Sequence, residues 1–311
     1  MAKPRFDIEP ISLANGWSGH VLTQCHGVTP QVAAPAVLPT IEQWRPQLSL
    51  LAADPKSLPD CTALKYSTSG EVLRARLEAR DSAIDVICRQ SRVHGIWRRL
   101  ASSFAPSRER RNFARALQVA EIGINTAIPL ALIERRRPRR QAWLVTAYVP
   151  DLVDLDQVAL RFLPQLGLRR GHRVKDAISE AVIEVLDRME RNNLSHRDLK
   201  ASNILLKNWD GVGGSVTVWL VDLDGLCRYR YLGAGRRWRP VMRLAASLLS
   251  YTTVTRSDYC RFLKRYLAGR TGSTRGTWQQ LYRKLAQQAG DYARRAMRRK
   301  GHKLNGFVGN A

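Results

Sequence analysis

The run His196-Arg197-Asp198-Leu199-Lys200-Ala201-Ser202-Asn203, followed by Asp222-Leu223-Asp224-Gly225, contains the groups that phosphoryl transfer requires. That chemistry needs a carboxylate to orient the attacking hydroxyl and take its proton, and oxygen ligands to hold magnesium against the nucleotide phosphates. Asp198 has the position of the base, and Asn203 and Asp222 have those of the metal ligands. Lys200, two residues past the base, can neutralise charge on the γ-phosphoryl group as it moves. The cofactors implied are ATP and Mg2+.

The flanking patterns say which elements must position these groups. Over 174–191, Ile178, Val182, Val185, Leu186 and Met189 fall on one helical stripe, so an amphipathic helix leads into the loop. After it, residues 203–206 read as a short apolar strand, 210–214 as a turn, and the β-branched run 216–221 as a second strand ending at Asp222. Such a hairpin would bring Asn203 and Asp222 together.

Upstream, 64–66, 71–77 and 84–89 predict three antiparallel strands, and 107–122 predicts a helix that stops at Gly123. The turn Ser67-Thr68-Ser69-Gly70 either covers nucleotide phosphates with backbone N–H groups or is an ordinary hairpin turn. Residues 143–149 predict a buried strand that runs into a hinge at Pro150. In a kinase, Thr146 would line the adenine pocket and the backbone of Ala147, Tyr148 and Val149 would bond the adenine edge. Further helices are expected over 239–250, 257–267 and 277–299.

The composition narrows the class. Among 311 residues, 51 Lys and Arg oppose 26 Asp and Glu for a net charge of +25, so the surface presents a strong positive field. Nucleic acid, anionic lipid and phosphorylated saccharide all suit such a field, as does a basic surface that is merely solvated. The five cysteines are scattered without a CxxC pair, which argues for a reducing compartment and against a zinc site or a disulfide framework. No run of eighteen apolar residues and no amino-terminal apolar core occur, so a cytoplasmic protein is expected, with membrane contact at most peripheral.

Residues 1–60, rich in Pro, Gly and small side chains, are expected to be an irregular leader. Residues 61–149 would form a small sheet-rich lobe and 150–311 a helical lobe. In the last helix Trp278, Leu281, Leu285, Ala289, Tyr292 and Ala296 recur at helical spacing among arginines. Either this stripe packs on the helical lobe, or the helix rests with Arg108, Arg110, Arg111 and Arg115 against phosphorylated and anionic lipid.

The chain resembles the lipopolysaccharide core kinase family, the Kdo and heptose kinases of Gram-negative bacteria. The residues behind the resemblance are the 196–200 motif with Asn203, Val221-Asp222-Leu223-Asp224-Gly225, Gly123-Ile124, Pro129-Leu130-Ala131, and Asp258-Tyr259-Cys260-Arg261-Phe262-Leu263 with Tyr266-Leu267. Leucine at 223, no Ala-Pro-Glu motif downstream and a short segment after Gly225 distinguish it from eukaryotic-type protein kinases. The resemblance implies an α+β, bilobal protein-kinase-like fold with an antiparallel-sheet N-lobe and a helical C-lobe. It implies an ATP- and magnesium-dependent kinase whose acceptor is an anionic inner-core saccharide, with no specific nucleic acid as partner. A protein or small-molecule kinase and a nucleotide-binding scaffold are the alternatives. The family pattern places a lysine on the third strand, paired with a glutamate on the next helix. Here those positions read Arg89 and Asn112, with Glu109 one turn earlier as another partner and Lys65 as another cation.

Overall fold

The computed structural model describes residues 4–27, 35, 37–67, 70–79, 82–91, 106–135, 141–212 and 214–268, with helical positions 279, 280, 283, 286, 287, 290, 291 and 294. The chain divides into two compact units, Met1–Pro150 with Asp222–Asp224, and Asp151–Val221 with Gly225–Ala311.

The first unit is built on an antiparallel sheet. Its strands are β1 (Arg5–Ser12), β2 (Trp17–His26), β3 (Thr62–Ser67), β4 (Gly70–Ala79), β5 (Ser82–Ser91), β7 (Pro129–Arg135) and β8 (Gln141–Ala147); a two-residue β6 (Asn125–Thr126) precedes β7. The seven-stranded order is β1-β2-β7-β8-β5-β4-β3. Alternation sets the register: on β4, Leu73, Ala75, Leu77 and Ala79 point into the core while Arg74 and Arg76 point away.

Two helices cover this sheet. Helix α2 (Arg108–Glu121) starts at Ser107, whose Oγ accepts from the Arg110 amide at 2.9 Å. It packs Phe113 and Leu117 against Leu132 and Leu144. Helix α1 (Ile41–Ala53) is an element that the expected irregular leader did not include, and β1 and β2 are two more. A capping box between Thr40 and Gln43 starts α1, and Trp44, Leu48 and Leu51 then fall on one buried face. Trp17 and Trp44 are therefore core residues, 4% and 0% exposed. Pro46 lies inside α1 and disguised it in the sequence.

The second unit is largely helical. Helix α3 (Leu168–Arg191) buries Ile178, Val182, Val185, Leu186 and Met189, the stripe expected from the sequence, and Val174 with them. Helices α4 (Ala234–Leu248) and α5 (Arg256–Ala268) follow, and Lys175 Nζ on α3 pairs with Asp258 Oδ2 on α5 at 2.7 Å. Strand β11 (Ile204–Lys207) pairs antiparallel with β12 (Thr217–Leu220) and with β9 (Val153–Asp154), and β10 (Leu194–His196) pairs with β13 (Leu226–Arg228). Among the described residues no helix is long and apolar enough to cross a membrane.

Candidate active site

In the second unit, α3 hands the chain to β10, which ends at His196 with no exposed surface. His196 Nδ1 accepts from the Asp198 amide at 3.3 Å, and the Arg197 amide donates to Gly225 O at 2.9 Å. A Cβ at Gly225 would stand 3.0 Å from His196 Cε1 and 3.2 Å from the Asp198 nitrogen, so a larger residue here would crowd the loop and glycine lets the chain entering β13 lie close to it. The loop is thereby pinned where it enters Asp198.

The Asp198 carboxylate, 42% exposed, has two cationic neighbours: Arg243 Nη2 lies 3.2 Å from Oδ1 and Lys200 Nζ 3.8 Å from Oδ2. Arg243 sits on α4, is 17% exposed, and donates from Nε to Arg197 O at 3.0 Å. It is a residue the motif did not reveal. Asn203 Nδ2 donates to Asp198 O at 2.9 Å, which leaves its carbonyl oxygen as the atom available to a cation. The Val221 amide donates to Asn203 O at 3.1 Å, so the β11–β12 hairpin closes at Asn203 and Val221, one residue before Asp222. Asp198, Lys200 and Asn203 are thus held together within one unit.

The first unit gathers Arg89 and Asp222. Asp222 has φ +53°, a left-handed conformation that aspartate tolerates better than most residues. Its Oδ1 accepts from Arg108 Nη2 at 2.8 Å and lies 3.7 Å from Arg89 Nη2. Asp224 is approached by Arg108 at 3.5 Å, Arg111 at 3.1 Å and Arg115 at 3.2 Å. Burial pushes the Asp224 carboxyl up, but the Arg111 hydrogen bond and the charges of Arg111, Arg108 and Arg115 together hold it below the ordinary range. Burial, then the Arg108 charge, lowers the pKa of Arg89.

Glu109 is the carboxylate of α2 whose charge is felt at Arg89. Its Oε1 accepts from the Ser91 amide at 3.0 Å, its charge and that of Arg89 stabilise each other, and burial raises its pKa overall. Asn112 is buried one turn further on, and neither amide atom has a hydrogen-bond partner among the described residues. Lys65 stands exposed on the edge strand β3.

The first turn of α2 holds Arg108, Arg110 and Arg111, although a cation at a helix N-terminus costs about 0.3–1 kcal/mol. Carboxylates offset that cost: Arg110 Nε donates to Glu134 Oε2 at 2.6 Å, while Arg108 and Arg111 reach Asp222 and Asp224. Arg108, Arg110, Arg111 and Arg115, the cluster read from the sequence as a candidate lipid-facing patch, thus each pair with a carboxylate of the same unit. The apolar stripe of the last helix, at 278, 281, 285, 289, 292 and 296, lies outside the described residues.

The nucleotide candidates lie on the same sheet. The Ala147 amide donates to Ile128 O at 2.9 Å and the Tyr148 amide to Asp85 O at 3.0 Å, so of the three expected hinge amides these two are already engaged. Thr146 Oγ1 donates to Ile87 O at 3.5 Å. Thr68, Ser69 and the Ser67 side chain lie outside the described residues. A Cβ at Gly70 would meet Gln90 O at 2.4 Å, so close passage of β4 over β5 already requires this glycine.

A small antiparallel-sheet unit and a helical unit with these two clusters define a protein-kinase-like fold. A solved structure described as WaaP in complex with acyl carrier protein matches with a TM-score of 0.54 and 21% identity, over 86% of this chain and 98% of that one, which establishes the fold. No curated protein matches the chain. The model of the lipopolysaccharide kinase (Kdo/WaaP) family matches residues 70–266, and the chain belongs to that family. It is a kinase of the lipopolysaccharide core.

Proposed function

We propose that the protein transfers the γ-phosphoryl group of ATP to a hydroxyl of an inner-core Kdo or heptose residue. The observation that supports this most is the Asp198 carboxylate, held by Arg243 and Lys200 on a loop pinned by Gly225 and Asn203. In this reading Asp198 orients the sugar hydroxyl and accepts its proton as the new O–P bond forms and the bond to the β-phosphate oxygen breaks. ADP leaves, and the proton passes from Asp198 to solvent. Lys200 steadies the charge on the transferring group.

Asp222 and Asn203 offer a carboxylate and an amide oxygen, the hard donors magnesium prefers. When bound, the metal would neutralise charge on the β- and γ-phosphates. Arg89, with Glu109 beside it, replaces the usual lysine and contacts the phosphates. Thr146, the Ala147 and Tyr148 carbonyls and the Val149 amide serve the adenine.

Mass spectra of lipopolysaccharide from cells with and without the gene test the assignment. Loss of one phosphate from the core is the expected result; an unchanged core phosphate pattern overturns it.

A further inference from the structure

Two carboxylates of the first unit face four guanidinium groups: Arg89 and Arg108 on Asp222, and Arg108, Arg111 and Arg115 on Asp224. If Asp222 is to ligate a metal, Oδ1 must be released, because Arg108 Nη2 already occupies it at 2.8 Å. A divalent cation arriving alone would also meet the positive charge of the surrounding arginines. The site is therefore poised for a cation only when an anion comes with it.

The four arginines differ in how firmly they are tied. Arg111 Nη1 donates to Pro106 O at 2.9 Å, and Arg115 Nη1 donates to Asp224 O at 2.7 Å. Arg89 is on the interior strand β5, is 25% exposed, and has no backbone carbonyl partner among the described residues. Arg108 is 39% exposed, is the first residue of α2, and has no backbone carbonyl partner among the described residues. Of the two whose guanidinium can move without breaking a backbone hydrogen bond, Arg108 is the more exposed.

We propose that Arg108 is an exchangeable counter-ion: it holds Asp222 in the nucleotide-free protein, and releases it to pair with a phosphate oxygen when metal and nucleotide bind. This rests on the kinase reading above and adds a residue to it. Its planar fork suits either a carboxylate or a phosphate, so the exchange replaces one charge-assisted pair with another. The exchange makes nucleotide binding a precondition for tight metal binding.

The test uses the full chain and two charge-removing variants, R108Q and R108M, each checked for folding by circular dichroism. Free Mn2+, as a magnetic substitute for Mg2+, is counted by electron paramagnetic resonance without nucleotide, and ADP binding is measured by calorimetry in EDTA. Removing a half-exposed ion pair should tighten Mn2+ binding by roughly two- to fivefold. Metal-free ADP binding should weaken by roughly tenfold, the loss of one charge-assisted hydrogen bond. Mn2+ binding that is unchanged or weaker, or ADP binding that is unchanged, in whichever of the variants folds overturns the proposal. Phosphotransfer by the wild type is assayed alongside. A wild type that transfers phosphoryl groups while the variants show neither shift sinks Arg108 alone, whereas a wild type that neither binds ADP nor transfers sinks the kinase reading.

Discussion

Arg243 Nη2 stands 3.2 Å from Asp198 Oδ1, and the Nε of the same guanidinium donates to Arg197 O at 3.0 Å. One side chain from α4 thus grips both the carboxylate and the peptide that precedes it. The pair fixes the direction of the carboxylate, and it leaves Oδ2 toward the more distant Lys200.

Arg243→Ala is expected to lower kcat by roughly 10- to 100-fold, in line with a misplaced catalytic group, while KM for ATP changes little. Arg243→Lys should recover only part of the loss, because an ammonium cannot hold the two oxygens at once. Steady-state kinetics on both variants check this. A loss that appears in KM for ATP with kcat intact would place Arg243 at the nucleotide instead.

Arg89→Ala should raise KM for ATP and lower kcat, since the side chain would contact the phosphates in both the ground and transition states. Arg89→Lys should be tolerated. Glu109→Gln should act in the same direction as Arg89→Ala but more weakly. An ATP titration indifferent to Arg89→Ala removes the role.

Asp222→Ala should abolish turnover, while Asn203→Ala should be milder and show as an increased magnesium requirement, because the phosphates and Asp222 still hold the metal. Activity measured against magnesium concentration separates the two. Equal losses that excess magnesium does not repair would contradict a ligand role for Asn203.

Asp224 gives a pH test. Its carboxyl is held below the ordinary range in the folded protein, so its contribution to stability is present above the unfolded pKa of about 4 and fades as pH falls through the folded value. Asp224→Asn should therefore melt a few degrees below the wild type near neutrality, and the gap should close as pH drops below about 4. Thermal melts from neutral to acid pH check the sign. A gap that widens on acidification contradicts it.

The local features were legible because spacing alone determines them. The α3 stripe, the Ser107 start of α2, the alternation of β4 and β5 and the β11–β12 hairpin all follow from periodicity and turn chemistry over short windows. The pairings of Asp198 with Arg243 and of Asp222 with Arg108 join residues far apart in sequence, and such ion pairs leave no periodic trace. Helix α1 was hidden for a different reason. Pro46 and the proline-rich surroundings outweighed the Thr40–Gln43 capping box and the Trp44, Leu48, Leu51 face, which together were the available signal.

The central claim is that Asp198 activates a lipopolysaccharide core hydroxyl for attack on ATP. Its most direct test is transfer of labelled γ-phosphate from ATP to core-dephosphorylated lipopolysaccharide by purified wild type and Asp198→Ala, with circular dichroism to confirm that both fold. The account predicts labelled core sugar with the wild type and a rate lower by a factor on the order of a thousand or more with the variant, as for loss of the group that orients and deprotonates the nucleophile. A folded Asp198→Ala protein that labels the core at near wild-type rate would contradict it.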